Sequence, residues 1–257
     1  MNYLYSLAGL GVGLLVGMTG VGGGSLMTPV LVLLFGFHPA TAVGTDLLFA
    51  SMTKSVGTGV HGFSGTVNWR VTGLLATGSI PATILTVLLV GRIGVASPAM
   101  AQIISLVLGI ALVVTALAVI LRNRIQALAL KHFGEIAPQR QAALTIVTGI
   151  ALGVLVSLSS VGAGALGLTV LVFLYPKQPI ALLVGSDIAH AVPLTLLAGL
   201  GHWYLGSINF HLLDSLLIGS IPGIIIGSYL ARFSNDRILK LCLGAILAVV
   251  GTKMLVK

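Results

Sequence analysis

Hydrophobic residues run along this chain in long, nearly charge-free stretches, at approximately 3–36, 41–60, 70–90, 99–121, 142–174, 180–201, 211–231 and 236–256. Most of them have the length of one membrane-crossing helix, about 20 residues. The stretches at 3–36 and 142–174 are too long, since about 33 residues make roughly 50 Å of helix against about 30 Å of hydrocarbon. Each has a break near its middle: Thr19-Gly20-Val21-Gly22-Gly23-Gly24-Ser25 in one, Ser157-Leu158-Ser159-Ser160-Val161-Gly162-Ala163-Gly164 in the other. Glycine is permissive and a poor helix former, so both segments are expected to be broken helices or helical hairpins.

The two breaks also match each other. Laying Val21 on Val161 carries the match as far as Pro39 on Pro179, and after one inserted residue the spacing is a constant 141. At that offset Gly44 falls on Gly185, Asp46 on Asp187, His61 on His202, Gly65 on Gly206, Asn68 on Asn209, and Gly78-Ser79-Ile80-Pro81 on Gly219-Ser220-Ile221-Pro222. The fold class expected is an all-α integral membrane protein with about eight hydrophobic segments in two homologous four-segment repeats, the first segment of each broken by a glycine-rich loop. The repeats cover 1–121 and 142–257, joined by a polar, basic linker at 122–141 that holds Arg122, Arg124, Lys131 and Arg140 and reads as cytoplasmic. If each broken segment crosses once, the halves lie parallel; if each is a hairpin, they are inverted. Inversion puts Arg70, the linker, Arg232, Arg237 and Lys240 on one side, about eight basic residues against four, where the parallel arrangement gives about seven against six. Inverted repeats are therefore favoured.

Composition fits that pattern. The 257 residues are 57% hydrophobic and 7% charged, against about a quarter charged in soluble domains, and the mean hydropathy is +1.13. No length remains for a soluble catalytic domain. The single cysteine, Cys242, lies in an apolar run, so neither a disulfide framework nor a cysteine metal site is expected, and no cofactor. The first residues have no basic region or cleavage site and read as mature structure. A formal charge of +8 comes from Lys and Arg scattered along the chain, which suits membrane topology and not nucleic acid.

In hydrocarbon an unpaired backbone N–H or C=O costs several kcal/mol, so unwound backbone survives only inside protein or facing a wet cavity. Helices beginning at Ser25 and Leu26, or at Ala165 and Leu166, would aim free N–H groups back at the glycines. Gly22, Gly23, Gly24 and Ser25 with Gly162, Ala163 and Gly164 are thus candidates to bind a small anion. The competing reading is that these glycines only let helices pack closely. Asp46 and Asp187, each preceded by a hydroxyl (Thr45, Ser186), are costly inside a span. They read as a proton site or an acceptor for the loop N–H groups, or as helix-start residues stabilising their own turns. Lys54, matched by Thr195, would be the fixed cation of an anion site, unless it snorkels to an interface. His190, matched by Phe49, could bind substrate or relay protons, or sit satisfied in the core. His61, His202, Asn68 and Asn209 read as turn residues tied to neighbouring backbone. Pro81 and Pro222 fall inside spans, where kinks or hinges are expected.

The run Gly20-Val21-Gly22-Gly23-Gly24-Ser25-Leu26-Met27-Thr28-Pro29, followed by Ala42-Val43-Gly44-Thr45-Asp46, resembles the N-terminal signature of the TauE/SafE sulfite exporter family. The echo from Gly162 to Leu166 and in Gly185-Ser186-Asp187 is similar to that family too, and the resemblance covers the whole chain. It implies a transporter of small sulfur-containing anions, such as sulfite, sulfoacetate or related organosulfonates, in the bacterial inner membrane. Ala163, Ala165 and Thr169 stand where the first half has Gly23, Ser25 and Pro29, so the second loop would grip less tightly. The expected function is a secondary exporter of such an anion, with the lipid bilayer and a small anionic substrate as partners, a homodimer allowed, and no nucleic acid. No nucleotide-binding motif is present, so an ion gradient or the substrate's own would drive it. The alternatives are an anion channel built from the same loops, or an intramembrane hydrolase using Ser159 or Ser160 with His190, which the first half does not repeat.

Overall fold

The computed structural model describes residues 3–19, 24–63, 65–132, 137–230 and 236–256, and among them every regular element is a helix. In chain order these are α1 (Tyr3–Thr19), α2 (Gly24–Leu33), α3 (Pro39–Phe63), α4 (Trp69–Ile93), α5 (Pro98–His132), α6 (Pro138–Ser159), α7 (Ala165–Leu174), α8 (Ile180–Tyr204), α9 (Phe210–Leu230) and α10 (Asp236–Val256). Pro39, Pro98 and Pro138 are the first residues of their helices, where a missing N–H leaves nothing unpaired. Asn68 caps α4 by accepting from the Val71 N–H (3.3 Å), and Asn209 accepts from the Leu212 N–H at the start of α9 (3.0 Å). Among the described residues, α4, Pro98–Arg122 of α5, α6, α8, α9 and Ile238–Val256 of α10 are long and apolar enough to cross a bilayer. The chain is a multi-pass, all-helical membrane protein.

The eight segments read from the sequence become ten helices, because both overlong stretches are divided into two. Neither piece continues in a straight line. Tyr5, near the start of α1, packs edge-on against Phe35 just beyond α2, with ring centroids 4.9 Å apart, and leans on Phe37 at 5.7 Å. The two ends of that stretch therefore meet, and α1–α2 is a hairpin. In the same way α7 returns along α6: the Gln141 side-chain amide donates to the Leu174 carbonyl (2.6 Å), and the Thr145 and Tyr175 hydroxyls share a hydrogen bond (2.8 Å). The linker expected at 122–141 is largely helix, since α5 runs on to His132 and α6 starts at Pro138. Its Arg, Gln, Ala and Leu residues are good helix formers once past the apolar run.

Contacts between helices fix their directions. α3 and α8 cross antiparallel, Leu48 meeting Gly199 while the Thr58 hydroxyl reaches the Ile188 carbonyl (3.5 Å). α5 and α10 are also antiparallel, with Gly109 on Gly251 and Ile120 on Gly244. By contrast α1 runs parallel to α9 (Gly9 on Leu216, Gly13 on Ser220, Gly17 on Ile224), and α4 runs parallel to α6 (Leu75 on Gly149, Ser79 on Gly153). These directions bring Arg70, Arg122, Arg124, Arg140, Lys177 and Lys240 to one face, called here the linker face, and Arg92 and Lys253 to the other.

The parallel pairs touch backbone to backbone, which only glycine permits. Gly9, Gly13 and Gly17 of α1 interlock with Gly219, Gly223 and Gly227 of α9, a spacing of four that puts each set on one helix face. A Cβ on Gly13 would lie 2.8 Å from the Ser220 Cα and 2.5 Å from its carbonyl oxygen, whereas Gly11 has nothing within 4 Å. Gly13→Leu or Gly223→Leu is therefore expected to destabilise the protein by about 1–3 kcal/mol, lowering the unfolding temperature in detergent by several degrees. Gly11→Leu should leave that temperature unchanged, and equal effects at Gly11 and Gly13 would refute this packing.

Candidate functional site

The middles of α3 and α8 carry the ionisable groups. Asp46 lies about two turns into α3 and Asp187 about two turns into α8, both buried. Neither is a helix-start residue, so the reading in which each merely stabilises its own first turn is ruled out. Each carboxylate is instead placed beside a short helix of a hairpin. The Thr28 hydroxyl of α2 donates to Asp46 Oδ2, the Thr28 backbone approaches the same carboxylate, and the Ser160 hydroxyl lies alongside it. Asp187 faces the opening turn of α7, where the backbone of Gly164 and Leu168 approaches it. Asp187 Oδ1 presses directly on Gly167, so that any Cβ there would overlap it. Asp46 Oδ1 and Asp187 Oδ1 are both buried without a hydrogen-bond partner.

Near these carboxylates comes Lys54, 7% exposed, whose ammonium donates to the Ala163 carbonyl (2.8 Å) in the α6–α7 turn. It lies within electrostatic reach of both Asp46 and Asp187, so it is not snorkelling to an interface. His190, fully buried, shares a hydrogen bond between Nε2 and the Ser79 hydroxyl of α4 (2.8 Å), while its Nδ1 has no partner. Lys54 lies within electrostatic reach of this ring as well.

The α6–α7 turn that receives Lys54 is built from unusual backbone. Ser160 sits at φ 58°, Gly162 at φ 122° and Gly164 at φ 127°. The two glycines adopt at little cost a conformation that a side chain would strain. The Gly162 carbonyl is paired with the Gly167 N–H (3.0 Å). Beside it a cavity of about 90 Å³ is lined by Thr19, Arg122, Gly164, Ala165, Leu168 and Lys240, among others. Arg122 and Lys240 belong to the linker face, and Arg122 is within electrostatic reach of Asp187.

Several sequence candidates lie outside this cluster. Gly22 and Gly23 fall outside the described residues; Gly24 opens α2, and Ser25 is buried beside it. Thr45 and Ser186 tie turns to helices: the Asn209 N–H donates to Thr45 Oγ1 (3.1 Å), and the Asn68 N–H donates to Ser186 Oγ (2.8 Å). His202 is likewise occupied, with Nδ1 on the Ser207 hydroxyl and Nε2 on the Ser157 carbonyl, both at 3.0 Å. The side chain of His61 lies outside the described residues. Pro81 and Pro222 sit inside α4 and α9, which continue through them as helix.

The Ser159 hydroxyl donates to the Leu155 carbonyl, and the hydrogen bond of His190 goes to Ser79, so neither Ser159 nor Ser160 is paired with that histidine. Among the described residues no group of three His, Cys, Asp or Glu side chains could hold a metal ion. Ser160 joins the site as a neighbour of Asp46 and not as a nucleophile, and Thr28, Ser79 and Gly167 join it without having been candidates. Ser79, through the repeated Gly-Ser-Ile-Pro, and Thr28, through the run from Gly20 to Pro29, carried signals that could have found them.

A model of the family described as Sulfite exporter TauE/SafE matches residues 5–254. The probable membrane transporter protein YjnA of Bacillus subtilis (strain 168) is 37% identical over 256 residues, covering 99% of this chain and 100% of that protein. More distant are the probable membrane transporter proteins YdhB of the same organism, 24% identical over 95% of this chain and 96% of its own, and MJ0441 of Methanocaldococcus jannaschii, 26% identical over 98% and 94%. No solved structure matches. With a family match and a relative that both span nearly its full length, the chain belongs to the TauE/SafE sulfite exporter family of membrane transporters.

Proposed function

We propose that the protein is a secondary transporter that exports a small sulfur-containing anion, such as sulfite, sulfoacetate or another organosulfonate, across the inner cell membrane. The observation that carries this reading is Lys54, a cation buried in the middle of the helical layer and held by the carbonyl of an irregular turn, Ala163. A lysine there is expensive unless something negative uses it, and unwound backbone at that depth is tolerated where it lines a pathway. The substrate would sit between the start of α2 and the α6–α7 turn, reached by Lys54, Ser25, the backbone of Gly24 and Gly164, and His190.

Two inverted repeats, α1–α5 and α6–α10, would supply the two access states by rocking against one another. Support comes from the antiparallel crossings of α3 with α8 and α5 with α10, equivalent helices at the offset read from the sequence. It comes also from the matched ties of Asn68 to Ser186 and Asn209 to Thr45. The linker face, rich in Lys and Arg, would be cytoplasmic. The cavity beside Arg122 and Lys240 would then gather anions from the cytoplasm, consistent with export.

Two measurements test this. Purified protein in liposomes should carry radiolabelled sulfite or sulfoacetate with saturation and trans-stimulation; a conductance without trans-stimulation would mean a channel, and no flux of either would defeat the substrate class. Lys54→Met should lower that flux by at least about tenfold, the equivalent of 1.4 kcal/mol. It should also lower stability by about 3–5 kcal/mol, since it leaves two buried carboxylates without their cation. Asp187→Asn added to Lys54→Met should recover part of that stability but not the flux. Full transport by Lys54→Met would place the anion elsewhere.

A further inference from the structure

Asp187 stands where an incoming anion would look for backbone donors, and Asp46 stands beside α2 one turn past its start. The start of a helix offers unpaired N–H groups and a positive dipole end, and it attracts whatever negative charge is at hand. At α7 that charge is the Asp187 carboxylate, placed against Gly164, Gly167 and Leu168. Asp46, beside α2, is held through Thr28.

A second observation is independent of these helix starts. Four buried polar atoms in the cluster have no hydrogen-bond partner: Asp46 Oδ1, Asp187 Oδ1, His190 Nδ1 and Ser160 Oγ. A buried carboxylate oxygen without a donor is unusual, and a proton on the carboxyl would remove the charge that makes it costly.

The charges around the pair decide what such a proton would do. Asp187 is faced by Lys54 from α3 and Arg122 from α5, with His190 on its own helix, while α7 carries no titratable side chain. Asp46 is faced by Lys54 on its own helix; α2 carries no titratable side chain, and His211 and Asp214 of α9 are exposed. With both carboxylates ionised they already balance Lys54 and Arg122, so a further anion would add net negative charge and would be kept from the start of α7. Each proton taken up removes one negative charge, so two protons make room for a dianion.

Resting on the transporter reading above, we propose that Asp46 and Asp187 are proton-exchanged stand-ins for the substrate. On taking a proton, Asp187 yields the start of α7 to the anion and Asp46 yields its Thr28 donors, so anion and proton cross together. The step breaks no covalent bond except O–H: a carboxylate becomes a carboxylic acid as the anion takes its N–H donors, and on release the proton leaves and the carboxylate returns.

The test uses sulfoacetate, whose carboxylate and sulfonate both stay ionised near neutral pH. Protein in weakly buffered detergent is mixed with radiolabelled sulfoacetate while a dye reports free protons. Roughly one proton or more should be taken up per anion bound, and for each proton taken up affinity should fall by up to about tenfold per unit rise in pH. Asp46→Asn with Asp187→Asn should bind sulfoacetate without proton uptake and with affinity independent of pH. Binding by the wild-type protein with no proton uptake would overturn the proposal without any variant, and leave the transporter reading standing. Proton uptake that persists in the double variant would overturn it too. If the wild-type protein neither binds nor carries sulfoacetate or sulfite, the anion reading itself falls and this proposal with it.

Discussion

Hydrocarbon offers no hydrogen bonds, and this constraint shapes the centre of the protein. A backbone group left unpaired there costs several kcal/mol, so a chain that turns inside the layer must provide partners from its own side chains. At the α6–α7 turn those partners can be named. The Ala163 carbonyl receives the Lys54 ammonium, the Gly162 carbonyl receives the Gly167 N–H, and the opening turn of α7 meets the Asp187 carboxylate. The buried charges are thus part of what lets the chain turn at this depth, and Lys54 with the backbone N–H groups at the start of α7 is also what an anion would recognise. Structure and proposed chemistry use the same residues.

Holding such a turn in place requires a rigid surround, and glycine supplies much of it. The stripes on α1 and α9, and those joining α4 to α6, bring backbones so close that side chains are excluded. In a membrane, where apolar surface gains little by leaving lipid, that close contact is a main source of helix association. The long helices α3 and α8 then cross between these pairs and carry Asp46, Lys54, Asp187 and His190 to the centre.

Much of this was legible before any coordinates. The apolar runs gave the class, because no soluble fold tolerates so few charges, and the overlong stretches announced their own division, because helix rise and bilayer thickness are both fixed. Asp46, Lys54 and Asp187 stood out as charges inside spans. What the sequence hid was contact at long range. Nothing in it pairs His190 with Ser79 or sets Asp187 against Gly167, since those neighbours meet only once α4, α7 and α8 are packed. The hairpins were one of two open readings, settled by aromatic contacts such as Tyr5 on Phe35 that no local pattern encodes. Thr45 and Ser186 stand next to the aspartates in sequence, yet on a helix adjacent residues point apart, and the two hydroxyls reach to the turns before α9 and α4.

The most direct test of the account is the position of a bound anion. A cryo-electron microscopy map of the protein in lipid, with sulfoacetate present in mildly acidic buffer, should hold density between the start of α2 and the α6–α7 turn. Its sulfonate or carboxylate should lie within hydrogen-bond distance of Lys54 Nζ and the backbone N–H groups at the start of α7, with Asp187 swung away from Gly167. A map in which that space is dry and closed by side chains, with the anion bound elsewhere, would contradict the account.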